Sequence, residues 1–256
     1  MNRKDRRLSF KDHFSGHAAG YASFRPRYPA ALFDFVTSLT PGRSLAWDCA
    51  TGNGQAALGL AERFARVIAT DASAAQIAHA TPHPRVEYRQ APAERSGLNR
   101  GSADLVTVAT AVHWVDFDRF YAEAERVLAP GGAIAVWAYN LPRAIPEISA
   151  LVDRLSYQIV KAYWPPERRW VDEEYHTLPF PFAEVETPSL AIEERWDLAR
   201  LLDYIGTWSA TQRYLQTHGE DPRELVAGEL AAAWGDPEQE RQIRFPIMMR
   251  AGHPRR

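Results

Sequence analysis

Two acids at the ends of apolar runs carry the first chemical signal. Asp48 closes the apolar run 45–47, and a loop of small residues follows, with glycines at 52 and 54. Asp71 closes the next apolar run, 67–70. A strand that passes through a glycine turn into a helix brings bare backbone close to a ligand and aims helix N–H groups at it. Two acids at the carboxyl ends of neighbouring strands beside such a turn describe a site for a nucleoside.

Two nucleosides fit the spacing. Residues 52–57 match the dinucleotide fingerprint G-x-G-x-x-A, and Asp71 stands about where a ribose-binding acid belongs. This is the NAD(P)-dependent oxidoreductase reading. Against it, Cys49, Ala50 and Thr51 separate the strand-ending acid from the first glycine. An acid beside the loop also repels a pyrophosphate and suits a ligand with a cationic amine.

Residues 48–54, with the order acid, Cys, Ala, Thr, Gly, Asn, Gly, resemble the first motif of class I S-adenosylmethionine-dependent methyltransferases. Residues 127–132, Val-Leu-Ala-Pro-Gly-Gly, are similar to the turn before strand five in that family. Residues 25–29 (Arg-Pro-Arg-Tyr-Pro), Ala93 with Glu94, 111–114 (Ala-Val-His-Trp) and 207–210 (Thr-Trp-Ser-Ala) resemble the trans-aconitate methyltransferase-like, small-molecule branch, which carries a type 11 methyltransferase domain. The resemblance spans nearly the whole chain. One position departs from the pattern: the first glycine of the motif is Ala50 here.

The resemblance implies S-adenosyl-L-methionine as cofactor, S-adenosylhomocysteine as product, and methyl transfer to a small organic acceptor, with a carboxylate or hydroxyl oxygen foremost. It implies that Ala50, Thr51, Gly52, Asn53 and Gly54 wrap the methionine end. Asp48 would face the ammonium, directly or through water, and Asp71 would accept both ribose hydroxyls. Ala72 would lie against the adenine, with Ala93 and Glu94 at its edge, and Gln76 is a further cofactor-binding candidate that could equally be an exposed helix polar. Thr110 and Trp114 would border the cofactor after strand four, and His113 would face the methyl group as a base or orienter. Tyr21 and Arg25, with Phe14 nearby, would belong to an N-terminal lid over the cofactor. A cofactor-binding protein without catalysis is a further alternative, resting on Ala50. Plainer roles compete at each position: turn cap for Asp48, helix cap for Asp71, loop acid for Glu94, core packing for Trp114 and His113.

The elements that must position these residues follow from periodicity. Strands are expected at 44–49, 67–70, 86–89, 105–109 and 133–137, and helices at 30–39, 55–64, 73–80 and 117–128. Their alternation predicts an α/β fold: a Rossmann-like, doubly wound, mostly parallel seven-stranded sheet whose last strand, 242–250, is antiparallel. Residues 143–180, rich in aromatics and proline, read as a helical cap. A weak strand is expected at 184–193, and helices at 198–214 and 223–234. The organisation expected is an arm over 1–40, a cofactor-binding core over 41–140, and a cap with closing strands over 141–256.

Bulk properties narrow the class. In 256 residues the net charge is −2, so nothing asks for nucleic acid or an anionic membrane. A single cysteine, Cys49, excludes an internal disulfide and a cysteine metal cluster, and no metal site is expected. No apolar run approaches the ~18 residues of a membrane span. A cytoplasmic monomer or homodimer acting on a small molecule is the expectation.

Overall fold

The computed structural model describes residues 26–255 of the chain. Helix α1 (Ala30–Ser38) buries the stripe Leu32, Phe33 and Val36. Strand β1 (Leu45–Cys49) and helix α2 (Gln55–Ala61) flank the glycine loop. Then come β2 (Arg66–Asp71), α3 (Ala74–Ala78), β3 (Val86–Gln90), β4 (Ala103–Ala109), α4 (Phe117–Val127) and β5 (Leu128–Tyr139). Ser73 caps α3 by accepting from the Gln76 N–H at 3.3 Å, and Asp116 caps α4 by accepting from the Arg119 N–H at 3.3 Å. Each cap satisfies a backbone donor that the first helical turn leaves unpaired.

The strands form one sheet in the order β3-β2-β1-β4-β5-β8, with β6 (Ala183–Glu184) and β7 (Leu190–Trp196) beyond β8 (Arg241–His253). β1 to β5 are parallel, and β8 (Arg241–His253) is antiparallel to β5. β1, β2 and β4 are buried on both faces, as a parallel sheet between helix layers requires. One face carries Ala46, Val67, Leu105 and Trp137 under α1 and α2; the other carries Trp47, Ile68, Val106 and Val136 under α4. Trp47 and Trp137 are fully enclosed, each contributing roughly 2–3 kcal/mol of burial.

Beyond β5 the chain builds the cap. Helix α5 (Pro146–Arg154) runs into a π-helical segment, Leu155–Ile159, and α6 (Arg168–Asp172) follows. α7 (Leu198–Gly206), α8 (Ser209–His218) and α9 (Glu224–Trp234) complete it. This part has its own core, in which Trp196, Tyr204, Trp234 and Phe245 are buried.

Three expectations are refined. The single strand over 184–193 is two strands, β6 (Ala183–Glu184) and β7 (Leu190–Trp196). They occupy opposite ends of β8, pairing with Gly252–His253 and with Arg241–Ile247, so the seventh position in the sheet is a broken edge. The helix over 198–214 is two helices meeting at Trp208, whose extended backbone (ψ 136°) ends the first helical path. β5 starts at Leu128 rather than at Ala133, because the proline–glycine turn is absorbed as a bulge between the Ala103 and Leu105 pairings. No helix among the described residues is long and apolar enough to cross a membrane.

Candidate functional site

The chain passes from β1 to β2 on one side and returns to β4 on the other. Strand order therefore reverses between β1 and β4, and the crevice at their carboxyl ends is where open α/β sheets hold ligands. Asp48, Asp71 and the residues after β4 all lie there.

The β1–α2 loop is held by hydrogen bonds in three directions. The Thr51 N–H donates to Thr70 O on β2 at 2.9 Å. The Thr51 hydroxyl donates to Asp48 Oδ2 at 2.5 Å, and the Thr107 hydroxyl of β4 donates to Asp48 Oδ1 at 2.7 Å. The Gly52 N–H donates to Asp71 Oδ2 at 2.9 Å, and the Ser73 N–H donates to Asp71 Oδ1 at 2.8 Å. Both Asp71 oxygens are therefore tied to backbone N–H groups, one in the glycine loop and one at the start of α3.

Asp48 is completely buried, with both oxygens on threonine hydroxyls. Burial pushes its pKa up to about 6; the threonine hydrogen bonds pull it down, and the Asp71 charge adds to the rise. Its reach toward a ligand therefore runs through Thr51 and the loop that it fixes. Cys49 beside it is buried, and burial with the charges of Asp48, Asp71 and Glu94 pushes its thiol well above the usual range. It is a packed side chain, not a nucleophile. Three carboxylates thus place negative charge around the end of β1, which disfavours a pyrophosphate there.

Glycine is required at 54. Its φ is +92°, and a Cβ there would collide with the Tyr88 hydroxyl, which donates to Thr81 O at 2.9 Å. At Gly52 (φ +57°) a Cβ would meet, among the described residues, Gln76 Oε1 at 3.8 Å, an ordinary contact distance. Ala50, in the place of the motif glycine, adopts φ +53°, the left-handed conformation a glycine takes most readily. Thr110, at the equivalent end of β4, adopts φ +56°. Such residues cost about 1–3 kcal/mol each and concentrate at functional sites.

The remaining expected residues fall around this loop. Asn53 O accepts from the Thr81 N–H at 3.3 Å. Ala72 O accepts from Gln90 Nε2 at 3.1 Å, and Gln76 is buried over Gly52. Ala93 packs on the core beside α4, and Glu94 Oε1 accepts from the Asp116 N–H at 3.3 Å. Tyr21 and Arg25, with Phe14 and the lid assigned to them, lie outside the described residues. No group of three or more His, Cys, Asp or Glu among the described residues is placed to hold a metal ion.

After β4 a short 3-10 turn, Val112–Trp114, carries His113 inward. Its Nδ1 lies 2.9 Å from the Tyr175 hydroxyl. Burial pushes the imidazole pKa down to about 3; Arg168 lowers it further, and Glu167 opposes. A base titrating near its ordinary value of about 6.5 is therefore not the state of His113 here. The Trp114 ring packs against it, with centroids 4.9 Å apart. Tyr28 joins the same end of the sheet, its hydroxyl 3.0 Å from Thr110 Oγ1 and its ring edge-on to Trp137.

Sequence reasoning missed Thr107, Ser73, Tyr88, Tyr175 and Arg168 as parts of the site. Ser73 was legible as a helix cap, since it precedes a helical run. Thr107 is the one polar residue in the apolar run 105–109, a signal that a buried partner awaits it. Nothing local marks Tyr175.

The methyltransferase-domain family profile matches residues 47–136, the stretch from β1 through β5. A Dictyostelium discoideum protein assigned to the methyltransferases is 30% identical over 247 residues, covering 94% of each chain. A solved structure from Anaeromyxobacter dehalogenans, assigned as a type II methyltransferase, superposes with TM-score 0.86 at 49% identity, over 91% of this chain and all of that one. A Saccharomyces cerevisiae protein named for S-adenosylmethionine-dependent methyl transfer is 28% identical over 155 residues, 57% of this chain and 53% of that protein. With its acidic crevice, its glycine loop and these relatives, the chain belongs to the class I S-adenosylmethionine-dependent methyltransferases.

Proposed function

We propose that the protein methylates an oxygen, of a carboxylate or a hydroxyl, on a small organic acceptor. The methyl-donor side of this reading is supported by the negative charge that Asp48, Asp71 and Glu94 place around Cys49 at the end of β1, which suits a cationic sulfonium. S-Adenosylmethionine brings a methyl group on an activated, cationic sulfonium. In this reading Asp71 holds the ribose, the loop 50–54 holds the methionine end, and Ala72, Gln76, Ala93 and Glu94 border the adenine. Thr110 and Trp114 close the side toward the acceptor. An aromatic ring beside a cation is worth about 0.5–2 kcal/mol when desolvated.

The acceptor side lies between the carboxyl ends of β4 and β5 and the cap. Arg168 reaches across from α6: its Nη2 donates to Asn140 Oδ1 at 3.1 Å and its Nε to Asp172 at 2.9 Å. Its guanidinium lies over the Trp164 ring, 4.5 Å from the centroid. This cation on an aromatic plate, paired with Asp172 and near enough to His113 for its charge to act there, suits an acceptor with an acidic group. The likeness of residues 93–94, 111–114 and 207–210 to the trans-aconitate methyltransferase-like branch supports the same class. The task of these side chains is alignment of the attacking atom and exclusion of water, since the leaving group is already activated.

A radiolabelled methyl-transfer screen over small carboxylic acids, phenols and amines tests the reading. Incorporation into acids or phenols is expected. Labelling of amines alone would reject the O-methyl assignment. No labelling, with S-adenosylhomocysteine bound at micromolar concentration, would leave a binding protein.

A further inference from the structure

Tyr175 is delivered to His113 by an unusual piece of backbone. Just past α6, Glu174 and Tyr175 both take positive φ, 51° and 63°. A bulky residue in that region is an outlier that its surroundings must enforce. Here the Tyr175 N–H donates to Trp170 O at 2.8 Å, which turns the chain back on the helix. The turn drives the phenol fully inside, among Val171, Leu178 and the β4–α4 core. Its hydroxyl ends 2.9 Å from His113 Nδ1, with the ring centroids 6.0 Å apart.

The protonation pattern of this pair follows from donor accounting. A buried phenol keeps its proton, and burial pushes Tyr175 well above its usual range. That proton needs an acceptor, and the nitrogen beside it is Nδ1. A neutral imidazole that accepts at Nδ1 carries its own proton at Nε2. The charged and titratable groups that bear on His113 are Arg168 and Glu167 near α6, with Tyr175 from the turn beyond. Burial and the Arg168 charge oppose a second proton on the ring, and they outweigh Glu167, which favours it.

We propose that Tyr175 is a positioning residue that locks His113 as its neutral Nε2–H tautomer, so that His113 meets the methyl acceptor as a hydrogen-bond donor and takes no proton from it. The proposal rests on the methyl-transfer reading and on the place of His113 beside the acceptor. It also narrows the acceptor. Methylating an oxygen that is already an anion forms one O–C bond, breaks one S–C bond and releases no proton, so no base is needed. A donor at Nε2 can then hold the acceptor's second oxygen. An alcohol or an ammonium must lose a proton, which His113 in this tautomer cannot accept.

Nitrogen-15 spectra of histidine-labelled protein loaded with S-adenosylhomocysteine read the tautomer directly, with His113→Gln used to assign the signal. The expected pattern is a protonated Nε2 and an unprotonated, hydrogen-bonded Nδ1, constant from pH 5.5 to 8.5. In Tyr175→Phe the ring loses its anchor, and the two nitrogens should average toward a tautomer mixture while S-adenosylhomocysteine affinity stays within about threefold. A wild-type Nδ1–H tautomer, a His113 titration near pH 6.5, or an unchanged pattern in Tyr175→Phe would each overturn the proposal. If Tyr175→Phe does not fold, the wild-type spectrum decides alone. Failure to bind S-adenosylhomocysteine would instead reject the cofactor site and leave the tautomer result standing.

Discussion

Thr107 stands directly opposite Asp48 in the parallel register of β4 and β1, and its hydroxyl donates to the Asp48 carboxylate at 2.7 Å. The acid that precedes the glycine loop is thus tied to the neighbouring strand before the loop starts. Thr51 holds its other oxygen, so the carboxylate serves as the internal anchor of the loop.

That anchor has a pH signature. The folded-state pKa of Asp48 lies at about 6, above its ordinary value of 3.8, because burial penalises the charge. The folded protein therefore binds this proton more tightly than the unfolded chain. The cost of the buried charge is full above pH 6 and disappears as the pH falls toward 4. Asp48→Asn should stabilise the cofactor-free protein at pH 8 by up to about 3 kcal/mol, with little difference from wild type near pH 4. Urea unfolding at the two pH values measures it. A mutant equally destabilised at both would show that the carboxylate is stabilised as an anion.

Asp71→Ala removes the acceptor of the Gly52 and Ser73 N–H groups along with the proposed ribose contact. S-Adenosylhomocysteine binding should weaken by about 1–3 kcal/mol. The fold should persist, because the carboxylate sits at a strand end and crosses no core. Calorimetric titration gives the answer, and an unchanged dissociation constant would place Asp71 outside the site.

Gly54→Ala sets a Cβ against the Tyr88 hydroxyl and forces an L residue to φ +92°. A loss of about 1–3 kcal/mol in stability is expected. Tyr88→Ala in the same chain should recover only the steric part, because the backbone strain remains. Full recovery in the double mutant would show that φ at 54 carries no cost.

Ala50→Gly restores the glycine of the family motif at a position with φ +53°. Relief of left-handed strain and the added freedom of the unfolded chain oppose each other, so stability should change by less than about 1 kcal/mol. Cofactor affinity should hold or rise. A tenfold weaker affinity would mean that the alanine methyl is itself part of the cofactor contact.

The sequence by itself determined the elements of the β1–β5 half and the order of its motifs. Apolar runs ending in Asp48 and Asp71, small residues at 50–54 and the proline–glycine turn before β5 are local patterns. Local backbone preference and two- or 3.6-residue periodicity write them into the chain. The helix stripe of Leu32, Phe33 and Val36 and the buried strands β1, β2 and β4 were legible for the same reason. The tertiary structure alone decided which side chains meet. Asp48 and Thr107 are 59 residues apart, and His113 and Tyr175 are 62. The first pair depends on strand register and the second on a left-handed turn after α6, neither of which has a local pattern. The edge strand split by its path along β8 and the helix broken at Trp208 belong to the same class. The environment of His113 does too: a histidine in a sequence titrates near neutrality, and its burial, with the charge of Arg168, pushes the imidazole well below that.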